Sequence, residues 1–213
     1  MKYDAVIFDV DGTLIDSFPR YSSIMKQIMP KYGIEQISET ELKDTFPLTP
    51  DQTLKRLKIP IQFSNQVAID YTIAAAQLNQ APSLYHGLNE FFKQVKVDHQ
   101  NVGLGIVTSG SSNDIADLKN HFSFMNQMWV TVTSDLLPYH KPAPEPLLYA
   151  IDHMGVDRKK TLYIGDAFTD EGCAENAKVD FGLAGWGNID DALKNGSAKY
   201  DFKTPQEILK YLK

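Results

Sequence analysis

The chain has 213 residues, 43% of them hydrophobic and 23% charged, which excludes wholesale disorder and leaves room for one or two compact domains. Its 27 acidic and 21 basic side chains give a net charge of −6, a balance unsuited to general nucleic-acid binding. The single cysteine, Cys173, excludes an internal disulfide or a cysteine-cluster metal site. No apolar stretch approaches the ~18 residues of a membrane span, and the start, MKYD, lacks the apolar run of a signal peptide, so a cytoplasmic location is expected.

In chain order, residues 3–9 form a β-branched and aromatic run that closes on Asp9, with Asp11 and Gly12 just beyond. Similar runs at 102–107, 128–133 and 161–165, and a weaker one at 180–184, are apolar on both faces and predict buried parallel strands, each with polar residues past its carboxyl end. Trp129 is expected to pack within the third run. Between them, helical spacing predicts helices at 113–122 with Asn113 as cap, at 145–154 started by Pro144 and ended by Gly155, at 169–177, and at 204–212. Strands alternating with helices imply an α/β fold with a doubly wound parallel sheet, whose ligands bind beyond the carboxyl ends of the strands.

Residues 16–83 break this rhythm. They contain no convincing strand, but helical patterns at 18–32, 39–46, 49–57 and 65–78 are separated by prolines and Gly33. The expected organisation is an α/β core of residues 1–15 and 84–213, with an all-helical domain of residues 16–83 inserted after the first strand.

Four polar clusters follow strands or lie in stiff loops. Asp9 and Asp11 at the first strand end offer carboxylates for a hard cation, or for a nucleophile and a general acid/base. Thr108, Ser109 and Gly110 offer hydroxyl and backbone N–H donors suited to phosphate. Lys141 places a cation in a proline-rich stretch, and Asp166 and Asp170 follow the fourth strand. The five histidines do not group at ligand spacing, and Trp186 sits in a loop beyond the fifth strand.

In this order and strand context the clusters resemble the four motifs of haloacid dehalogenase (HAD) superfamily phosphotransferases. D-x-D-G-T stands at residues 9–13, the strand-closing Thr at Thr108, the Lys followed by Pro at Lys141, and G-D-x-x-x-D ends in Asp166 and Asp170. The helical insertion matches the family's cap, and DVDGTLIDSFP at residues 9–19 is similar to phosphoglycolate phosphatase-like members and to their relative β-phosphoglucomutase.

The resemblance implies a magnesium-dependent phosphomonoester hydrolase acting on a small phosphorylated metabolite. Asp9 would attack phosphorus to form an aspartyl-phosphate, with Asp11 as general acid and then general base. Mg2+ would be held by Asp9, the Asp11 backbone carbonyl and Asp166, with Asp170 as a direct or outer ligand. Thr108, Lys141, Ser109 and Gly110 would bind the phosphate oxygens. The cap would close over the site, with Asp16, Arg20, Phe46 and Leu48 near the leaving group. Relatives commonly carry glycine in the cap turn that reads Phe46-Pro47-Leu48-Thr49 here, which argues against phosphoglycolate specificity. A second departure, Lys178 where relatives often have glycine, concerns helix termination. A sugar phosphomutase and a non-catalytic phosphate- or partner-binding protein are the alternatives, and a monomer or homodimer with no nucleic-acid or membrane partner is expected.

Overall fold

The computed structural model describes residues 2–78, 81–187 and 198–213. Two compact units emerge, Met1–Asp16 with Leu84–Lys213, and Ser17–Ser83. Asp16 therefore falls with the α/β unit, one residue away from the boundary read in the sequence.

The α/β unit is built on six parallel strands, β1 (Ala5–Phe8), β2 (Gly103–Val107), β3 (Met128–Val132), β4 (Thr161–Gly165), β5 (Asp180–Ala184) and β6 (Tyr200–Phe202), in the order β3-β2-β1-β4-β5-β6. Every residue of β1, β2 and β4 is buried, as expected for strands covered on both faces. Alternation divides their side chains between two cores. Val6, Phe8, Leu104, Ile106, Leu162 and Ile164 enter one core, and Ala5, Ile7, Val107, Tyr163, Phe181 and Leu183 enter the other.

Helices α5 (Leu88–Asp98) and α6 (Ser112–His121) supply the first core with Phe91, Phe92, Ile115 and Leu118. Helices α7 (Glu145–Met154) and α8 (Phe168–Ala177) supply the second with Leu147, Ile151, Cys173 and Ala174. Gly155, left-handed at φ 65°, ends α7 as its position after the last apolar residue predicts.

Several sequence expectations need correction. Strand β3, expected to be buried, lies at a sheet edge and is only partly covered; Trp129 is 56% exposed, with its ring against Gly103 of β2. The cap of α6 is Ser111, whose hydroxyl pairs with Asp114 in a capping box, displacing Asn113 from that role. The chain at 204–212 forms a 3-10 helix, Pro205–Tyr211, after a short strand β6 that its few apolar residues do not announce. Helix α5 also escaped the periodicity reading.

The helical unit contains α1 (Phe18–Ile28), α2 (Glu39–Thr45), α3 (Pro50–Arg56) and α4 (Ser64–Gln77). Its own core gathers Ile24, Met25, Ile28, Met29, Leu42, Leu54 and Ala74. Ser38 and Thr49 begin α2 and α3 with capping boxes, which satisfy amide donors that a short helix otherwise leaves open. Where the chain leaves the α/β unit and returns, Ile15 and Leu84 form an antiparallel bridge. Among the described residues, no helix is long and apolar enough to cross a membrane.

Candidate active site

The site lies at the carboxyl ends of the adjacent central strands β2, β1 and β4, where the order of connection reverses across the sheet. Beyond β1, Asp9 anchors its backbone by donating its N–H to Ile164 O at 2.8 Å. The next residues fold into a tight turn, with the Leu14 and Ile15 amides both donating to Val10 O and Gly12 N donating to Ile15 O. Gly12 has φ +83°, and a Cβ there would run into the carboxylate of Asp166. Glycine thus serves both the left-handed turn and the close approach of β4's carboxylate.

Two contacts fix that turn. Thr13 Oγ1 donates to Asp166 Oδ1 at 2.9 Å, and Trp186 Nε1 donates to Thr13 O at 2.9 Å. Trp186, singled out in the sequence as a loop aromatic, therefore acts on the first motif through its indole N–H. Tyr85, on the segment that re-enters the α/β unit, hydrogen-bonds Asp16, and burial followed by the nearby Asp16 and Asp166 charges raises its phenol above the usual range.

Lys141 ties the end of β1 to the first turn of α8. Its ammonium is 4% exposed and donates at 2.6 Å to Asp9 Oδ1 and at 2.6 Å to Asp170 Oδ1. Asp170, on the first turn of α8, is fully buried and also accepts from Tyr163 Oη at 2.8 Å and from Ala167 N at 3.2 Å. The acidic residue three places into the helix thereby reaches back to its amino end.

On β2, Thr108 is buried and donates its N–H to Val132 O at 3.0 Å. Gly110 N–H donates to Thr108 Oγ1 at 3.0 Å. Gly110, expected with Thr108 and Ser109 to offer donors to phosphate, directs its N–H to the Thr108 hydroxyl in this arrangement. Its effect is to fill an acceptor position of the Thr108 hydroxyl and leave the O–H hydrogen to donate elsewhere. Ser109 is half-buried beside it.

Asp9, Asp166 and Asp170 are all buried, and one carboxylate oxygen of each lies within 4.8 Å of the others. The carboxylate of Asp11, half-buried in the turn, is outside that trio. Three buried carboxylates facing a single ammonium leave negative charge in excess, which adds to the effect of burial on their titration. Burial, the largest effect, pushes Asp9 up to about 7, with Lys141 pulling it down and Asp170 pushing it up. Burial, then the Asp170 and Asp9 charges, raises Asp166 well above the carboxylate range, against a lowering by the Thr13 hydrogen bond and by Lys141. For Lys141, burial favours the neutral form, but Asp170 and Asp9 outweigh it and hold the ammonium above its ordinary value. A hard divalent cation supplies the missing positive charge, and clustered carboxylate oxygens are the donors such an ion takes, so the residues fit magnesium.

Asp9, Lys141, Asp166 and Asp170 are thus brought together, with Thr108 past the end of the neighbouring strand β2. The residues expected near a leaving group make these contacts within their own units. Asp16 is exposed beside Tyr85. Within the helical unit, Arg20 Nη2 donates to Ala75 O at 3.3 Å. Phe46 packs edge-to-face on Phe18 and Tyr21, with ring centroids 5.3 Å away in both cases, and Leu48 is half-buried. Sequence reading gave no role to Thr13 or Tyr163. Thr13 was concealed inside a motif read for its carboxylates, and Tyr163 was read as one more apolar residue of a buried strand.

Comparison with known proteins agrees with this geometry. The family profile described as haloacid dehalogenase-like hydrolase matches residues 6–184. The chain is 26% identical to a phosphoglycolate phosphatase of Nitrosococcus oceani over 192 residues, covering 86% of this chain and 84% of that protein. It is 25% identical to an N-acetylmuramic acid 6-phosphate phosphatase of Pseudomonas aeruginosa, covering 100% of this chain and 96% of that one. A crystal structure from Lactobacillus plantarum, provisionally named a phosphoglycolate phosphatase, superimposes with a TM-score of 0.90 at 34% identity over 100% of both chains.

Proposed function

The chain belongs to the haloacid dehalogenase-like hydrolase family, and we propose that it is a magnesium-dependent phosphomonoester hydrolase working through a phosphoryl group carried on Asp9. The observation that carries this reading is the buried cluster in which Lys141 bridges Asp9 and Asp170 beside Asp166. A structural ion pair has no need of three buried carboxylates around one cation, whereas phosphoryl transfer needs an anionic nucleophile, opposing charge and a cation site together.

In the proposed reaction, a carboxylate oxygen of Asp9 attacks phosphorus and the bond to the leaving oxygen breaks. Asp11 gives that oxygen a proton. Asp11 then takes a proton from water, whose oxygen attacks phosphorus, and the bond to Asp9 breaks to release inorganic phosphate. Lys141, with one N–H beyond those given to Asp9 and Asp170, and the Thr108 hydroxyl bind phosphoryl oxygens. Ser109 lies at the same strand end as a further donor. Asp9, the Asp11 backbone carbonyl and Asp166 would hold magnesium, with Asp170 alongside. The ion would supply the positive charge that lets an anionic nucleophile meet an anionic ester. Discrimination among leaving groups is assigned to Asp16 in the α/β unit and to Arg20, Phe46 and Leu48 in the helical unit.

The test is phosphate release from a panel of phosphomonoesters that includes 2-phosphoglycolate and N-acetylmuramic acid 6-phosphate, with magnesium and with chelator. Magnesium-dependent release from at least one ester is expected, and the preferred ester names the substrate class. An isomerised sugar phosphate with little inorganic phosphate would replace the hydrolase by a phosphomutase. No reaction with any ester would favour a binding role.

A further inference from the structure

Tyr163 is a residue that the proposed chemistry does not use, yet its surroundings are built around its hydroxyl. It stands in the middle of β4, is 0% exposed, and packs its ring in the apolar core between the sheet and helices α7 and α8. A phenylalanine would fill that core equally well, and a buried hydroxyl there is costly unless it is bonded. It is bonded to two groups of the site's framework. Tyr163 Oη lies 2.8 Å from Asp170 Oδ1 and 3.2 Å from Val107 O, the carbonyl immediately before Thr108.

The oxygen that Tyr163 meets also accepts from Lys141. Asp170 Oδ1 takes Lys141 Nζ at 2.6 Å and Tyr163 Oη at 2.8 Å, while Lys141 Nζ reaches Asp9 Oδ1 at 2.6 Å. The ammonium is therefore divided between two carboxylates, and the division depends on how much negative charge Asp170 presents. A phenol donor on Asp170 Oδ1 satisfies part of that charge and weakens its hold on Lys141. Without the donor, Asp170 draws the ammonium toward itself and away from Asp9, and less positive charge stands beside the nucleophile as an anionic phosphate approaches.

We propose that Tyr163 is a positioning residue that acts through Asp170 to set where the Lys141 ammonium stands relative to Asp9. Tyr163 touches neither Asp9 nor a phosphoryl group, so its influence falls on the bond-making step more than on substrate capture. This inference rests on the proposed phosphoryl transfer to Asp9.

The test compares wild type, Tyr163→Phe and Tyr163→4-aminophenylalanine on the ester that wild type hydrolyses best, with Asp9→Asn as control. Tyr163→Phe should lower kcat roughly tenfold, the scale of one hydrogen bond to a charged group, with KM within about twofold. The amino variant restores a ring donor and should recover kcat to within about threefold of wild type. A purely structural role would lower the melting temperature and leave kcat per folded molecule unchanged, which would overturn the proposal. Failure of the amino variant to recover kcat would overturn it as well. Should the Phe variant not fold, the amino variant is decisive alone, since wild-type-like kcat supports the proposal and a tenfold loss refutes it. Turnover by Asp9→Asn would instead indict the phosphoryl-transfer reading itself, so the two failures are distinguishable.

Discussion

At the scale of single residues, the charge balance around Asp9 and the steric need for Gly12 are the same problem seen twice. Bringing the carboxylates of β1 and β4 close enough to share a cation requires the turn after β1 to pass directly against Asp166. Any Cβ on Gly12 occupies the space of that carboxylate, and φ +83° adds a backbone penalty of about 1–2 kcal/mol for an L-residue. Gly12→Ala is expected to displace Asp166 and break its bond from Thr13. Phosphate release should fall by more than roughly tenfold, and the melting temperature should drop by about 3–8 °C. A variant with unchanged melting and unchanged turnover would show that the turn tolerates a side chain and that the Gly12–Asp166 approach is unimportant. Asp9, Asp11, Lys141 and Asp166 were legible as candidates because their types, order and strand context are properties of the sequence. That Thr13 grips Asp166 was not, because nothing in the spacing of residues 9–13 says which neighbour a threonine hydroxyl meets across 153 positions.

At the scale of elements, the turn after β2 is held from outside as well as by its own helix. Ser112 gives both its N–H, at 3.0 Å, and its hydroxyl, at 2.6 Å, to the carboxylate of Asp135, on the loop after β3. Hydrogen bonds from Ser112, then Thr133, hold Asp135 at about 2, below its ordinary value. A carboxyl depressed in the folded state contributes stability above its unfolded pKa of about 3.9 and loses it as pH falls toward 2. The exposed position keeps the contribution small. Asp135→Asn should therefore flatten the acid limb of a plot of melting temperature against pH between about pH 4 and 2, and leave the neutral region with only a modest offset. Parallel acid limbs for the two proteins would contradict the pin. Helix ends were partly legible. Gly155 could be read as a terminator, but Lys178 takes the left-handed conformation (φ 56°) at the end of α8 without being glycine, so residue type alone gave no signal.

At the scale of the whole molecule, central strands were far more legible than peripheral ones, for a physical reason. β1, β2 and β4 are covered on both faces and read as uninterrupted apolar runs. β3 and β6 lie at the two edges and are only partly covered. Trp129 consequently misled about burial, and Tyr200–Phe202 was too short and polar to register. Asp9, Thr108 and Asp166 were legible with the strands they follow, β1, β2 and β4, whereas Lys141, on the loop after the edge strand β3, was legible from its place in a proline-rich stretch. Tyr163 shows where that legibility stops, since a phenol inside an apolar strand reads as packing until its hydroxyl is placed against Asp170.

Asp9 is proposed to carry the phosphoryl group, and Asp11→Asn gives the clearest view of that step. With p-nitrophenyl phosphate the leaving oxygen needs little protonation, so transfer to Asp9 should proceed in this variant, while the hydrolysis that depends on Asp11 as base is slowed by roughly 10²-fold or more. Mass spectrometry of the acid-quenched variant should then find one phosphoryl group on the peptide containing Asp9, and none on Asp9→Asn treated in the same way. Release of p-nitrophenol without any adduct on that peptide, or an adduct that persists in Asp9→Asn, would contradict the account.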